Sequence, residues 1–366
     1  MRQMPRSSDV RLYEEESSPE AVSKRFGLNL DDIVDFSVNV NPLGPPPIVF
    51  EEASQAIVTA GIYPDLQLKG LRTLLSARHG LDGNCFVFGA GLDDILKLIS
   101  QAWLGPEKAV LIHVPTFPRY ELEANFVGAK RVFVESQTPW QIDISAIENT
   151  LNQHAIDVAY LCTPNNPTGA LISTADIERL ASAHPNTTFV VDEALADPVE
   201  HGAMPFVNRY ANIVVLRTFS KYFGLAGLRV GYAVGQPNTM ASLTSVRPPF
   251  NVSGFSAKIA MAALENEAFL DASRSAFKEE RSYVSSHLEA FPAITIRGCC
   301  SNMMIFSLTG VTASEFVDGL AGQGILVVDA TSFRGLEDVP SIRISLRTRP
   351  ENTKLIDAIS NTLPRA

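Results

Sequence analysis

The chain has 366 residues, 46% hydrophobic and 19% charged, enough to bury one large domain and a smaller one. Forty acidic side chains against 30 basic ones leave a net charge of −10, the wrong balance for a nucleic-acid surface. No apolar run reaches the roughly 18 residues a bilayer crossing needs. The opening MRQMPRSSDVRLYEEESS also lacks the apolar core of a secretory signal, so a cytoplasmic location is expected. Cys85, Cys162, Cys299 and Cys300 form no CxxC pair and have no zinc-like histidine spacing; no metal is expected, and the thiols are expected free and buried.

Residues 1–45 are polar and then turn-rich, running into NVNPLGPPP at 39–47. A helical pattern over 48–60 is broken by GIYPD at 61–65. From about 68 to 245, short apolar or β-branched runs alternate with helical patterns. The expected strands are 85–88, 109–114, 131–135, 158–162, 188–193, 212–218 and 229–235. Several are apolar throughout, as strands buried on both faces must be, which predicts an α/β fold with a mostly parallel seven-stranded sheet. A long helical stretch is expected over 254–288, and ITIR, MMIFSL, ILVVD and SIRISL then read as strands of a small α+β C-terminal domain.

Five segments carry candidate chemistry. FGAGLDDIL (88–96) ends a strand in glycines and opens a helix, whose N–H groups at Leu92 and Asp93 suit a phosphate. PTFPRYE (115–121) offers Phe117 to stack on a flat ring. TPNNPTGA (163–170) follows a strand, and Asn166 can donate to a phenolate oxygen. VVDEAL (190–195) ends a buried strand at Asp192, where a carboxylate can face a pyridinium nitrogen. SKYFGLAGLR (220–229) places Lys221, which can form a Schiff base with an aldehyde, among Thr218, Ser220 and Arg229, which can hold a phosphate dianion.

In order and spacing these segments resemble fold type I enzymes that use pyridoxal 5'-phosphate (PLP), the aspartate aminotransferase superfamily. The resemblance implies Lys221 as the Schiff-base lysine and Asp192 as the partner of the ring nitrogen. Asn166 would sit at the ring oxygen, Phe117 on the ring face, and Leu92, Asp93, Thr218, Ser220 and Arg229 at the phosphate. Tyr63 resembles the tyrosine that reaches the phosphate of a neighbouring subunit, which implies a homodimer with shared active sites. It also implies three regions: an N-terminal segment (1–45) over the substrate entrance, a large PLP-binding domain (46–250), and an interdomain helix with the small domain (251–366).

DIVDFSVNVNPLGPPP (32–47) and TSFRGLEDVPSIRISLRTRPEN (331–352) resemble threonine-phosphate decarboxylases and histidinol-phosphate aminotransferases. The likeness makes Arg343 the grip for an anionic substrate group, with Arg334, Arg347 and Asn39 as further candidates. Two departures stand out. Leu195 follows DEA where those decarboxylases carry a tyrosine or phenylalanine, and the N-terminal His-Gly-Gly element is replaced by Glu14, Glu15 and Glu16. Carboxylates there favour a cation, with Glu15 and Glu16 as contacts. The leading expectation is therefore a lyase or cyclase acting on a cationic amino acid, such as γ-hydroxyarginine giving enduracididine. The alternatives are threonine-phosphate (or serine-phosphate) decarboxylation and histidinol-phosphate-type transamination with 2-oxoglutarate. A non-enzymatic PLP-binding protein is disfavoured because Lys221 and Asp192 are both present.

Overall fold

The computed structural model describes residues 18–198, 200 and 202–363. Its strands are, in chain order, β1 (Val34–Asp35), β2 (Phe86–Gly89), β3 (Ala109–Val114), β4 (Lys130–Glu135), β5 (Val158–Cys162), β6 (Thr188–Asp192), β7 (Ile213–Thr218), β8 (Gly231–Val234), β9 (Ile294–Cys300), β10 (Met303–Leu308), β11 (Ile325–Leu326), β12 (Val328–Asp329) and β13 (Ser341–Ser345). Seven of them form one sheet in the order β2-β8-β7-β6-β5-β3-β4. Only β8 runs against its neighbours, so the sheet is mostly parallel.

Alternate residues of the central strands feed two separate cores. Ala159, Leu161, Phe189, Val191 and Val215 pack with Ile177 and Leu180 of the helix Thr174–Ala183 on one face. Val158, Tyr160, Val190 and Val214 pack with Ile95 and Ile99 of the helix Leu92–Trp103 on the other. Burial on both faces explains why these strands read as unbroken apolar runs.

The predicted helix over 254–288 is two helices, Gly254–Leu264 and Glu267–Leu288. Asn266 separates them, because its side chain accepts from Phe269 N and caps the second helix. The predicted helix over 48–60 ends at Ala56 and tightens into a 3₁₀ turn, Ile57–Gly61. A second sheet, β12-β13-β10-β9, is antiparallel, and β1 pairs in parallel with β11. Val34 and Phe36 thus share a core with Phe306, Phe316, Ile342 and Ile344, which lie about 270 to 310 positions further along the chain. No helix among the described residues is long and apolar enough to cross a membrane.

All four cysteines are free, and Cys85, Cys162 and Cys300 are buried. Cys299 corrects the expectation of burial: β9 is an edge strand, and its alternation turns Cys299 outward.

Candidate active site

The parallel register of β5, β6 and β7 places Cys162 beside Asp192 and Asp192 beside Leu216. Their C-terminal ends therefore share one edge of the sheet, where the loops bearing Asn166, Asp192 and Lys221 meet. Ligands of parallel α/β sheets bind at this edge.

Asp192 is 3% exposed. Its Oδ1 accepts from Ala194 N at 2.9 Å and its Oδ2 from the Tyr120 hydroxyl at 2.7 Å. Burial pushes its carboxyl up, while these two donors act to hold the charged form. Tyr120 is itself fixed by stacking on Tyr160, 4.4 Å between centroids and 7° between planes, and by an edge contact from half-buried Phe117. A buried carboxylate held only by neutral donors suits a cationic ring nitrogen.

Lys221 donates from Nζ to the Asn39 carbonyl at 2.6 Å. Burial, then the nearby charges of Arg343 and Arg229, bring its ammonium down to about 8. That is the condition of an amine able to attack an aldehyde near neutral pH. The Asn39 segment is anchored on both sides: Asn41 donates to the Tyr222 carbonyl at 2.9 Å, and Asn302 donates to the Val40 carbonyl.

At the other end of the site, Gly91 opens the helix Leu92–Trp103 with φ 81° and no capping side chain, leaving the first-turn N–H groups outside the helix ladder. A Cβ at Gly91 would lie 2.4 Å from the Arg229 guanidinium, and one at Gly231 within 3.0 Å of Leu92 N. Arg229, at φ 53°, hydrogen-bonds Asp93 Oδ2 at 3.1 Å. Thr218 Oγ1 lies 2.9 Å from Ser220 Oγ and accepts from Ser220 N. The helix terminus, the hydroxyls and Arg229 form a donor set suited to a phosphate.

On the substrate side Arg343, buried on β13, donates to the Ser37 carbonyl and, at 3.4 Å, to Asn166 Oδ1. Arg347 is committed to the Asp35 carbonyl. Arg334 forms a two-pronged pair with buried Glu121, at 2.7 and 3.0 Å, and lies over the Phe133 ring. Leu195 packs against Cys300 and Met303. Tyr63 is 82% exposed and stacks on Phe250. Glu14, Glu15 and Glu16 lie outside the described residues.

Three site residues escape a reading of the sequence. Tyr120 looks like an ordinary core aromatic until its hydroxyl is seen on Asp192. Asn165, beside Asn166, is buried and ties Thr116, Pro115 and Thr168 together, so it shapes the loop. Asn41 gave no signal, because its partners, Tyr222 and Ser273, are remote in sequence.

An amine of lowered basicity, a buried carboxylate and a phosphate cradle along one sheet edge fit PLP, and together with the fold they define a PLP-dependent enzyme of fold type I. The chain belongs to the aminotransferase class I and II family, matched over residues 31–359. It is 32% identical to the histidinol-phosphate aminotransferase of Symbiobacterium thermophilum, covering 94% of both chains. It is 30% identical to that of Methanothermobacter thermautotrophicus, covering 96% of this chain and 95% of the relative. Among solved structures, histidinol-phosphate aminotransferase from Sinorhizobium meliloti in complex with PLP superposes with TM-score 0.84 at 24% identity, covering 94% of each chain. L-threonine-O-3-phosphate decarboxylase from Porphyromonas gingivalis gives 0.79 at 25%, covering 90% of this chain and 99% of the other.

Proposed function

We propose that the protein is an aminotransferase that moves the amino group of a substrate of the histidinol-phosphate type to an oxo acid such as 2-oxoglutarate. The observation that carries this is the end-to-end likeness to histidinol-phosphate aminotransferases at 30–32% identity. PLP supplies an electron sink for the bond broken at Cα. Lys221 would hold the cofactor aldehyde and would serve as the proton carrier at the substrate's Cα; an amine near 8 can give or take a proton close to neutral pH. Asp192, which accepts from Tyr120 and Ala194, would face the ring nitrogen and favour its protonated form, and a cationic nitrogen would offset the burial that pushes this carboxyl up. Asn166 gives its amide oxygen to Arg343, which frees its amide donors for the ring oxygen. Arg343 grips the substrate's anionic group.

The relatives favour this reading over the lyase or cyclase suggested by the sequence. That expectation leaned on Glu14–Glu16, which lie outside the described residues, and the likeness to aminotransferases gives it no support. The second reading is phosphoamino-acid decarboxylation, favoured by the likeness to the Porphyromonas enzyme. Both readings need a cation for a substrate phosphate, and Arg334 (on Glu121), Arg347 (on the Asp35 carbonyl) and Arg343 (on the Ser37 carbonyl) all have protein partners, so the greater likeness to the aminotransferases carries the choice.

The surface supports a homodimer as part of this proposal. Phe50, Ile57, Val58, Ile62 and Tyr63 are all more than half exposed, and Tyr63 stacks on Phe250. So much apolar surface along one stretch marks an interface. We propose residues 46–250 as the body of the cofactor-binding domain; the helix Gly254–Leu264 packs into its core, the helix Glu267–Leu288 runs between the two domains, and residues 18–45 with 289–363 make up the second domain.

The test is an assay with histidinol phosphate, threonine phosphate and hydroxyarginine, each with and without 2-oxoglutarate. Glutamate formed only from histidinol phosphate plus 2-oxoglutarate supports transamination. Release of CO2 from threonine phosphate alone supports the decarboxylase.

A further inference from the structure

The first turn of the helix Leu92–Trp103 carries two acids with different surroundings. Asp94 is used inside the fold: its Oδ2 accepts from Ala90 N at 3.0 Å and from Asn251 Nδ2 at 2.8 Å. Asp93 is half exposed and stands at the helix end assigned to the cofactor phosphate. Its Oδ2 accepts from Arg229 at 3.1 Å. Its Oδ1 lies 3.3 Å from Nε of Arg119, on the helix Arg119–Phe126.

This arrangement contains a conflict. A carboxylate in that turn repels a phosphate dianion, and it competes for Arg229, the cation the phosphate needs. Arg119 approaches Asp93 from the other oxygen. It is pre-set there by Glu123, one turn further along its own helix, whose side chain is 5% exposed and pairs with Arg119 Nη2. Arg119 is also more sheltered than Arg229, 23% exposed against 47%, so water screens it less.

We propose that Arg119 is a positioning residue for the cofactor phosphate. It draws on Asp93 through Oδ1 while Oδ2 still reaches Arg229, so the carboxylate's hold on Arg229 is weakened and it does not turn towards the phosphate. Glu123 fixes Arg119 in that task. The inference rests on the assignment of the phosphate to this helix end, and it adds a cation, two residues after Phe117, that never touches the cofactor itself.

The test titrates apoprotein with PLP and with pyridoxal, which has the aldehyde but no phosphate. Wild type must prefer PLP, and Arg229→Gln must reduce that preference; if it does not, the phosphate assignment itself fails. With that preference in place, Arg119→Gln should bind PLP roughly threefold to tenfold more weakly, the scale of a partly exposed ion pair in a charged network. Its affinity for pyridoxal should be unchanged, and Asp93→Asn added to Arg119→Gln should restore PLP binding. Equal losses for both aldehydes would show that Arg119 only supports the Phe117–Tyr120 segment, and would overturn the proposal. No loss for PLP, or a loss that Asn at position 93 leaves in place, would overturn it too.

Discussion

Lys221 sits between a carbonyl and two arginines, and its chemistry follows from that setting. With its ammonium brought down to about 8, the neutral amine gains population as pH rises and is the major form above about pH 8. The rate at which apoprotein takes up pyridoxal should therefore climb to about pH 8 and level off, where an ordinary lysine would keep climbing to about 10.4. Stopped-flow absorbance across pH 6–11 (a range set by those two values) checks this. Arg343 lowers the lysine, so Arg343→Gln should move the midpoint upward; a downward move would contradict the assigned cause. Tyr120 is a second residue with a measurable task. Tyr120→Phe deletes one donor to a buried carboxylate, a loss of about 1.5–3 kcal/mol, so PLP should bind at least about tenfold more weakly. An unchanged dissociation constant would mean that Ala194 N alone suffices for Asp192.

Among elements, the turn before the helix Leu92–Trp103 is the least forgiving. Gly91 combines φ 81° with an Arg229 guanidinium lying where a side chain would begin. Gly91→Ala should therefore weaken PLP binding sharply, by roughly tenfold or more, while a surface glycine such as Gly105, with open space around it, should tolerate alanine within about 0.5 kcal/mol. Equilibrium dialysis with PLP, alongside thermal melts of the two apoproteins, separates cofactor loss from unfolding. A similar constraint joins the two sheets: a Cβ at Gly298 on β9 would lie 2.0 Å from the Thr168 carbonyl, in the loop that carries Asn166.

The strands of the large sheet were legible from the sequence because each is buried on both faces and reads as an uninterrupted apolar run. The segments bearing Lys221, Asp192, Asn166 and Gly91 were legible because glycines and prolines fix their turns and their polar residues stand at strand ends. Legibility failed where a function depends on a partner remote in sequence. Tyr120 needs Asp192, 72 positions away, and Arg334 needs Glu121, 213 positions away, to show what it faces. The break at Asn266 was missed because a capping asparagine in an Ala- and Glu-rich stretch barely disturbs the helical pattern.

At the scale of the whole molecule, residues 34–39 run from the smaller core to the candidate site at the edge of the large sheet. Val34 and Phe36 belong to the smaller core, while the carbonyls of Ser37 and Asn39 reach Arg343 and Lys221. The segment therefore touches both Arg343, the proposed substrate grip, and Lys221, the proposed Schiff-base lysine. The exposed row around Val58 and Tyr63 should close a dimer, and Val58→Glu with Ile62→Glu should yield a monomer in light scattering. A wild-type monomer at micromolar concentration would contradict the shared-site arrangement.

The central claim, that this site moves an amino group, is tested most directly with histidinol phosphate carrying ¹⁵N in its amino group, incubated with PLP-loaded protein and 2-oxoglutarate and followed by mass spectrometry. The expected result is ¹⁵N-glutamate in step with loss of the donor, absent in Lys221→Ala. Unlabelled glutamate pools, with the donor left intact or losing carbon or water without any need for the oxo acid, would contradict it.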